Sequence, residues 1–284
     1  MESLLDYALD RLSAVTGSSA VGCKICGSDT QLFDVVDFKK CCSPALYPDG
    51  LAGVPVFYRS CRSCRFIFTT FFDGFTSEQW RAFVYNDGYA AVDPEYLEIR
   101  PRQNASEIEL LLLGDRGSTI ALDYGGGNGM TAMLLRKKGW TCDTYDPFGL
   151  SDVKPERLGK YNFCSAFQVF EHSPDPVSTL SDIIRMTSPD RLMLLAGTGV
   201  HDSEVRSDNR LAWSYAAPRN GHISLYSRSV LQFLGRRFGL SHVSVSSATH
   251  LFLRGIAERE ARFSLFRSKI LKRVGCTFST FRRP

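Results

Sequence analysis

No apolar run in the 284 residues reaches the roughly 18 that a membrane-spanning helix needs. The N-terminus, Met1-Glu-Ser-Leu-Leu-Asp6, lacks the basic-then-apolar order of a secretory leader. Charge of one sign is also scarce. Thirty-four Lys and Arg stand against 30 Asp and Glu, and a net +4 does not by itself argue for nucleic acid. Disulfides are not needed, because 284 residues with 44% hydrophobic and 23% charged content can bury a sizeable core. These absences lead to the expectation of a cytoplasmic protein of one large or two modest domains. Its cysteines stay reduced, and paired thiols then suggest metal.

Two such pairs are present, Cys23-Lys-Ile-Cys26-Gly27 and Cys61-Arg-Ser-Cys64. A two-residue gap lets both sulfurs of a knuckle reach one ion, and four thiolates are what a tetrahedral structural Zn2+ takes. Either knuckle alone also fits a redox pair. The long insert between them must form a hairpin or loop of its own. Cys41 and Cys42 lie in it and read as ordinary thiols, since adjacent cysteines rarely bind one zinc together. A closed four-sulfur site leaves no position for chemistry, so its role would be structural.

The stretch that organises the chain is Thr119-Ile-Ala-Leu-Asp123-Tyr-Gly125-Gly126-Gly127-Asn-Gly129-Met130. An apolar run ends in Asp123, a glycine loop follows, and Thr131 to Lys138 has a helical pattern that Gly139 stops. A second strand, Trp140 to Tyr145, ends in Asp146. Strand, glycine turn, helix, strand and acid make the first βαβ unit of a nucleotide-type site. As a dinucleotide fingerprint the loop fails from Gly125, where the third glycine position is Met130. From Gly127 it fits tolerably, with Gly127, Gly129 and Ala132. Asp-x-Gly-x-Gly-x-Gly, from Asp123 through Gly125 and Gly127 to Gly129, fits better. That pattern resembles motif I of the class I S-adenosylmethionine (SAM) dependent methyltransferases. The resemblance implies a Rossmann-like α/β sheet with the loop around the methionine end of SAM and Asp146 on the ribose hydroxyls.

Further along, Tyr161 to Ala166 reads as a strand running into Phe167-Gln168-Val-Phe-Glu171-His172-Ser-Pro-Asp-Pro176. This resembles the Glu-His, Pro-Asp-Pro signature after the fourth strand of that family, which implies Phe167 and Gln168 as cofactor neighbours. His172 would face the acceptor or be structural. Between Asp146 and this strand, Pro147 to Lys160 is too short for the usual helix and third strand, so both must be shortened or missing. Pro176 begins an amphipathic helix to Thr187, and Arg191 to Thr198 reads as a fifth strand. A long polar loop follows, ending in Asn220-Gly221-His222-Ile-Ser-Leu-Tyr226-Ser227, with Ser227 as N-cap of a helix from Ser229 to Phe238. Leu240 to Ser246 and His250 to Arg254 fit a closing antiparallel pair.

With the cysteine knuckles, this loop is similar to bacterial sugar C-methyltransferases and related enzymes of polysaccharide clusters. Two departures stand out. Gly221 stands where a glutamate often precedes the histidine, and the expected organisation does not include the large C-terminal domain of those enzymes. Methyl transfer chiefly requires the acceptor to be held in line and to lose a proton. His222 is the first candidate for that base, His172 the second and His201 the third. Tyr215 and Tyr226 are candidates for orienting the acceptor. Tyr85 and Tyr89, in a tyrosine-rich stretch with Tyr96, are either packing residues or part of a lid over a cofactor or sugar ring.

The expected organisation is an N-terminal helix over 1–19, a zinc-ribbon module over 20–72 and a helical linker or lid over 73–117. A SAM methyltransferase domain over 118–256 and a basic tail over 257–284 complete it. Within the linker, Ser77 is a candidate helix N-cap. The tail reads as a solvated helix, with polyanion or membrane contact as the alternative. Three functions stay open: a methyltransferase of a small or sugar-like acceptor, one acting on RNA or protein, and a non-enzymatic zinc-ribbon adaptor.

Overall fold

The computed structural model describes residues 3–9, 21–43, 52–112, 115–205 and 210–263. Of the expected N-terminal helix it describes residues 4–9 as helical, with Tyr7 and Ala8 buried. The rest of that helix, and the tail from 264 to 284, lie outside the described residues. The chain forms two compact units, neither continuous in sequence.

The first unit comprises Met1–Tyr96, Gln168–Leu180 and Thr198–Arg237. Its sheet has four antiparallel strands in the order β1-β2-β3-β8. They are β1 (Thr30–Asp37), β2 (Pro55–Cys61), β3 (Ile67–Thr69) and β8 (Ser224–Leu225). The insert between the knuckles is therefore the β1–β2 hairpin. Along β2, Val56, Tyr58 and Ser60 alternate inward, as a half-buried strand requires. Val56 and Tyr58 join Phe38, Phe71, Phe72, Trp80, Ile223 and Leu225 in one apolar core. Strand β3 ends at Thr69, where its pairing with β2 and β8 ends. The N-cap expected at Ser77 is Thr76 instead. Its hydroxyl accepts from Gln79 N and the Gln79 side chain accepts from Thr76 N, a full capping box.

The second unit comprises Leu97–Phe167, Ser181–Gly197 and Phe238–Pro284. Its mixed sheet has the order β5-β4-β6-β7-β10-β9. The strands are β4 (Ile120–Tyr124), β5 (Thr141–Tyr145), β6 (Phe163–Phe167), β7 (Leu192–Gly197), β9 (Ser241–Ser244) and β10 (Thr249–Arg254). The first four are parallel, and β10 joins antiparallel between β7 and β9. All six residues of β7 are buried, as a central parallel strand demands. Helix α1 (Ile99–Leu111) precedes β4, and α2 (Met130–Lys137) links β4 to β5. Helix α3 (Pro176–Met186), divided between the two units, and α4 (Arg228–Arg237), in the first, match the expected positions. Ser227 caps α4 by accepting from Val230 N at 3.2 Å.

The third strand is missing, as the short connection implied. Residues 147–160 hold only a 3₁₀ turn, Pro155–Arg157. Asp152 covers the free edge of β5 in its place, donating its N–H to Thr144 O at 3.0 Å and accepting from Thr144 N at 2.6 Å. Strand β4 has β5 on one side and β6 on the other. The loop after β4 thus stands at the switch point where α/β sheets bind ligands.

Candidate active site and metal centre

The glycine loop opens from the carboxyl end of β4. Gly125, Gly127 and Gly129 take φ of 73°, 57° and 75°. Gly126 is needed for space, since a Cβ there would lie 2.2 Å from Thr144 Oγ1 and 2.6 Å from Asp123 Oδ2. Asp146 fixes the far side of the loop. Its Oδ2 accepts from Gly127 N at 2.9 Å and its Oδ1 from Phe148 N at 2.8 Å. Each oxygen keeps acceptor capacity for a further donor.

Asp123 is 3% exposed. Its Oδ1 accepts from Ser165 Oγ at 2.7 Å, while Oδ2 has no hydrogen-bond partner among the described residues. Burial pushes its carboxyl up to about 6. A buried carboxylate oxygen turned to a glycine loop, next to a fixed acid with spare lone pairs, fits a ligand carrying an ammonium and a vicinal diol. Phe167, the next candidate, ends β6 half-buried, and Gln168 turns the chain with φ of 55°. A left-handed conformation at a non-glycine residue is a local strain of the kind found beside ligand sites.

In the first unit, Cys23, Cys26, Cys61 and Cys64 place their sulfurs within 4.8 Å of one another. Cys23 and Cys64 Sγ are 3.6 Å apart, and Cys26 and Cys61 Sγ 3.5 Å. A tetrahedron of about 2.3 Å zinc–sulfur bonds has edges of about 3.8 Å, so the donor set fits. The two knuckles repeat one backbone plan. Gly27 N donates to Cys23 O, Arg65 N donates to Cys61 O, and both residues take positive φ. Backbone N–H groups of Ile25, Ser63 and Cys64 point at the sulfurs. Cys41 and Cys42 stand outside this cluster.

The same unit gathers His172 and His222. Along with Glu171, each brings a donor atom within 4.8 Å of the others. Their rings are 4.9 Å apart. His222 is buried, with Nδ1 2.9 Å from Tyr215 O and 3.5 Å from Cys42 Sγ. His172 Nδ1 lies 3.2 Å from the Tyr85 hydroxyl. Tyr85 therefore sits with the histidines, its ring stacked on Trp80 and edge-on to Tyr89. Tyr226 donates to Phe170 O at 3.0 Å. His201 is buried near Trp213, and burial lowers its pKa. Sequence reasoning missed Glu171 as a member of this cluster, and also the Cys42 contact. The adjacent Glu-His pair was the one available signal for Glu171.

Residues 96–245 match the family model described as a methyltransferase domain. No curated protein matches the chain. Among solved structures, the chain is similar to a mitomycin 7-O-methyltransferase at 14% identity and a TM-score of 0.42, covering 64% of this chain and 62% of that one. It is also similar to the magnesium protoporphyrin IX methyltransferase of Synechocystis PCC 6803, at 13% and 0.41, over 65% and 96% of the two chains. An O-methyltransferase family 2 protein from Planctomyces limnophilus gives 16% and 0.40, over 56% and 58%. Likenesses this distant say nothing of the substrate.

Proposed function

This chain belongs to the methyltransferase-domain family, and we propose that it moves the methyl group of SAM to a small, sugar-like acceptor, with His222 taking the acceptor proton. The observation that supports the reading is the cluster of buried Glu171 and His222 with half-buried His172 and Tyr215, which gathers a carboxylate and two imidazoles in one place. It begins only four residues along the chain from Phe167, the end of β6.

When bound, SAM supplies a methyl group already activated by its sulfonium. Asp123 holds the ammonium, Gly125, Gly126, Gly127 and Gly129 let the backbone approach closely, and Asp146 takes the ribose hydroxyls. Phe167 and Gln168 border the cofactor. His222 accepts the acceptor's proton, and His172 stands second. Tyr85, Tyr89 and Tyr96 form a row of rings with centroids 5.0 and 5.2 Å apart, and such ring faces with hydroxyls suit a sugar. A structural Zn2+ on Cys23, Cys26, Cys61 and Cys64 braces the unit that carries the histidines.

Calorimetric titration with SAM tests the donor: a folded protein giving no heat ends the reading. With an acceptor found by screening nucleotide sugars, His222→Ala should lower kcat by roughly 10²–10⁴-fold and leave SAM affinity unchanged. Full turnover in that variant removes His222 as the base.

A further inference from the structure

The residue before His222 contributes no carboxylate and has no room for one. Gly221 takes φ of 86°, and a Cβ there would lie 2.9 Å from His172 Nδ1 and 3.2 Å from the Tyr85 hydroxyl. A carboxylate nevertheless reaches the histidines from elsewhere in the chain. Glu171 is fully buried, with an oxygen within 4.8 Å of a nitrogen on each of His172 and His222.

Tyr215 ties this carboxylate to His222. Its hydroxyl donates to Glu171 Oε1 and accepts from Gly199 N at 2.9 Å. Its backbone carbonyl is 2.9 Å from His222 Nδ1, and its ring centroid is 4.2 Å from that of the imidazole. Burial, and then Glu171 itself, push the Tyr215 phenol well above 10, so the proton stays on the phenol. A proton on His222 Nδ1 aimed at the carbonyl leaves the lone pair on Nε2.

We propose that Glu171 is the carboxylate partner of the histidine base, a positioning residue that raises imidazole basicity and stabilises the imidazolium formed in the reaction. This rests on the reading of the cluster as a proton acceptor and deepens it. The balance is simple. As the new bond from acceptor to methyl carbon forms and the carbon–sulfur bond breaks, the acceptor's proton passes to the imidazole. The products are the methylated acceptor, a neutral thioether and an imidazolium facing Glu171.

Other ionisable groups also surround His222. They are His172, Cys42, Tyr215, Tyr85 and Tyr58, the last donating to His222 O at 2.6 Å. Burial pushes the Tyr58 phenol up, so it stays neutral. The nearby cations oppose a second positive charge. Lys40 is tied to Leu211 O and Trp213 O, and Arg219 to Val84 O at 2.6 Å. An opposite charge within about 4–6 Å raises an imidazole's pKa by roughly 1–3.

The test uses histidine labelled at Cε1 and NMR titration of the full chain, with His172→Asn and His222→Asn assigning the signals. In the wild type, His222 or His172 should titrate above the ordinary value of about 6.5. Glu171→Gln should lower that midpoint by about one pH unit or more, and Glu171→Asp should restore most of it. With an acceptor in hand, Glu171→Gln should lower kcat by roughly 10²-fold, shift the acid limb of the rate profile downward and leave the KM for SAM unchanged. Midpoints at or below the ordinary value in the wild type overturn the proposal even if Glu171→Gln does not fold. So does an unchanged midpoint in Glu171→Gln. A stoichiometric divalent metal that Glu171→Gln releases while the four cysteines keep theirs also overturns it, since the cluster would then be a metal site. The two readings fail separately. A Glu171-dependent midpoint without methyl transfer sinks the enzymatic assignment alone, and methyl transfer with no such dependence sinks Glu171 alone.

Discussion

Asp123 shows how a single buried group can set a cost that only a ligand offsets. Its carboxyl titrates near 3.8 when solvated and near 6 in the fold, because burial disfavours the charge. Between those values the folded state holds more protons than the unfolded one. Stability therefore falls as pH rises from about 4 to about 6, and the full penalty of about 3 kcal/mol stands at pH 7. Asp123→Asn should relieve it. Urea unfolding at pH 7 should show a ligand-free protein up to about 3 kcal/mol more stable, with the slope between pH 4 and 6 flattened. The same variant should bind SAM at least roughly tenfold more weakly, since removing a charged partner costs about 1.5–3 kcal/mol. A variant no more stable at pH 7, or one that binds SAM as the wild type does, would remove Asp123 from the role of ammonium partner.

At the scale of the element, the β4–α2 loop is governed by two different demands, and a pair of substitutions separates them. Gly127→Ala meets no atom within 4 Å, so only its left-handed backbone resists, at about 1 kcal/mol. Gly126→Ala drives a methyl into Thr144 Oγ1 and Asp123 Oδ2. It should cost about 1–3 kcal/mol in stability through overpacking and lower SAM affinity more than Gly127→Ala does, as read by thermal unfolding and calorimetry. Equal effects would mean that conformation, not crowding, selects the glycine at 126. This element was legible in the sequence because its signal is local: a strand, four glycines and two acids lie within 27 residues. The missing third strand was legible for the same reason, as a connection too short to hold it. The pairing of β3 with β8 was not, since a two-residue strand carries no periodicity and its partner lies more than 150 residues away. Glu171 escaped for a related reason. An acid after a strand reads as a turn residue, and a partner that makes its burial tolerable, Tyr215, lies far along the chain. The cap at Thr76 shows the limit at short range. Both Thr76 and Ser77 can cap, and only the bond back from Gln79 selects the first.

For the whole molecule, the discontinuity of the first unit decides what an ion on the four cysteines would have to do. Strands β1, β2 and β3 come from Met1–Tyr96, whereas β8 and the histidine cluster come from 168–180 and 198–237. The two knuckles bracket the β1–β2 hairpin, Cys61 closes β2, and β3 follows directly to pair with β8. An ion on the four sulfurs would therefore fix the register through which the N-terminal strands meet the segment carrying His222. Structural zinc sites contribute on the order of 10 kcal/mol to the small domains that depend on them. Here a core of large aromatics supports the same sheet, so a smaller share should be lost. Purified protein should carry one zinc per chain, and Cys26→Ser or a strong chelator should lower thermal stability by on the order of 10 °C. His222 should then lose its protection from chemical modification, because Tyr58 on β2 holds the His222 carbonyl. Such a loss would follow from the sheet and not from the sulfurs themselves, so Tyr58→Phe should expose His222 partway while retaining zinc. A metal-free protein with unchanged stability would instead leave the four thiols without a structural role.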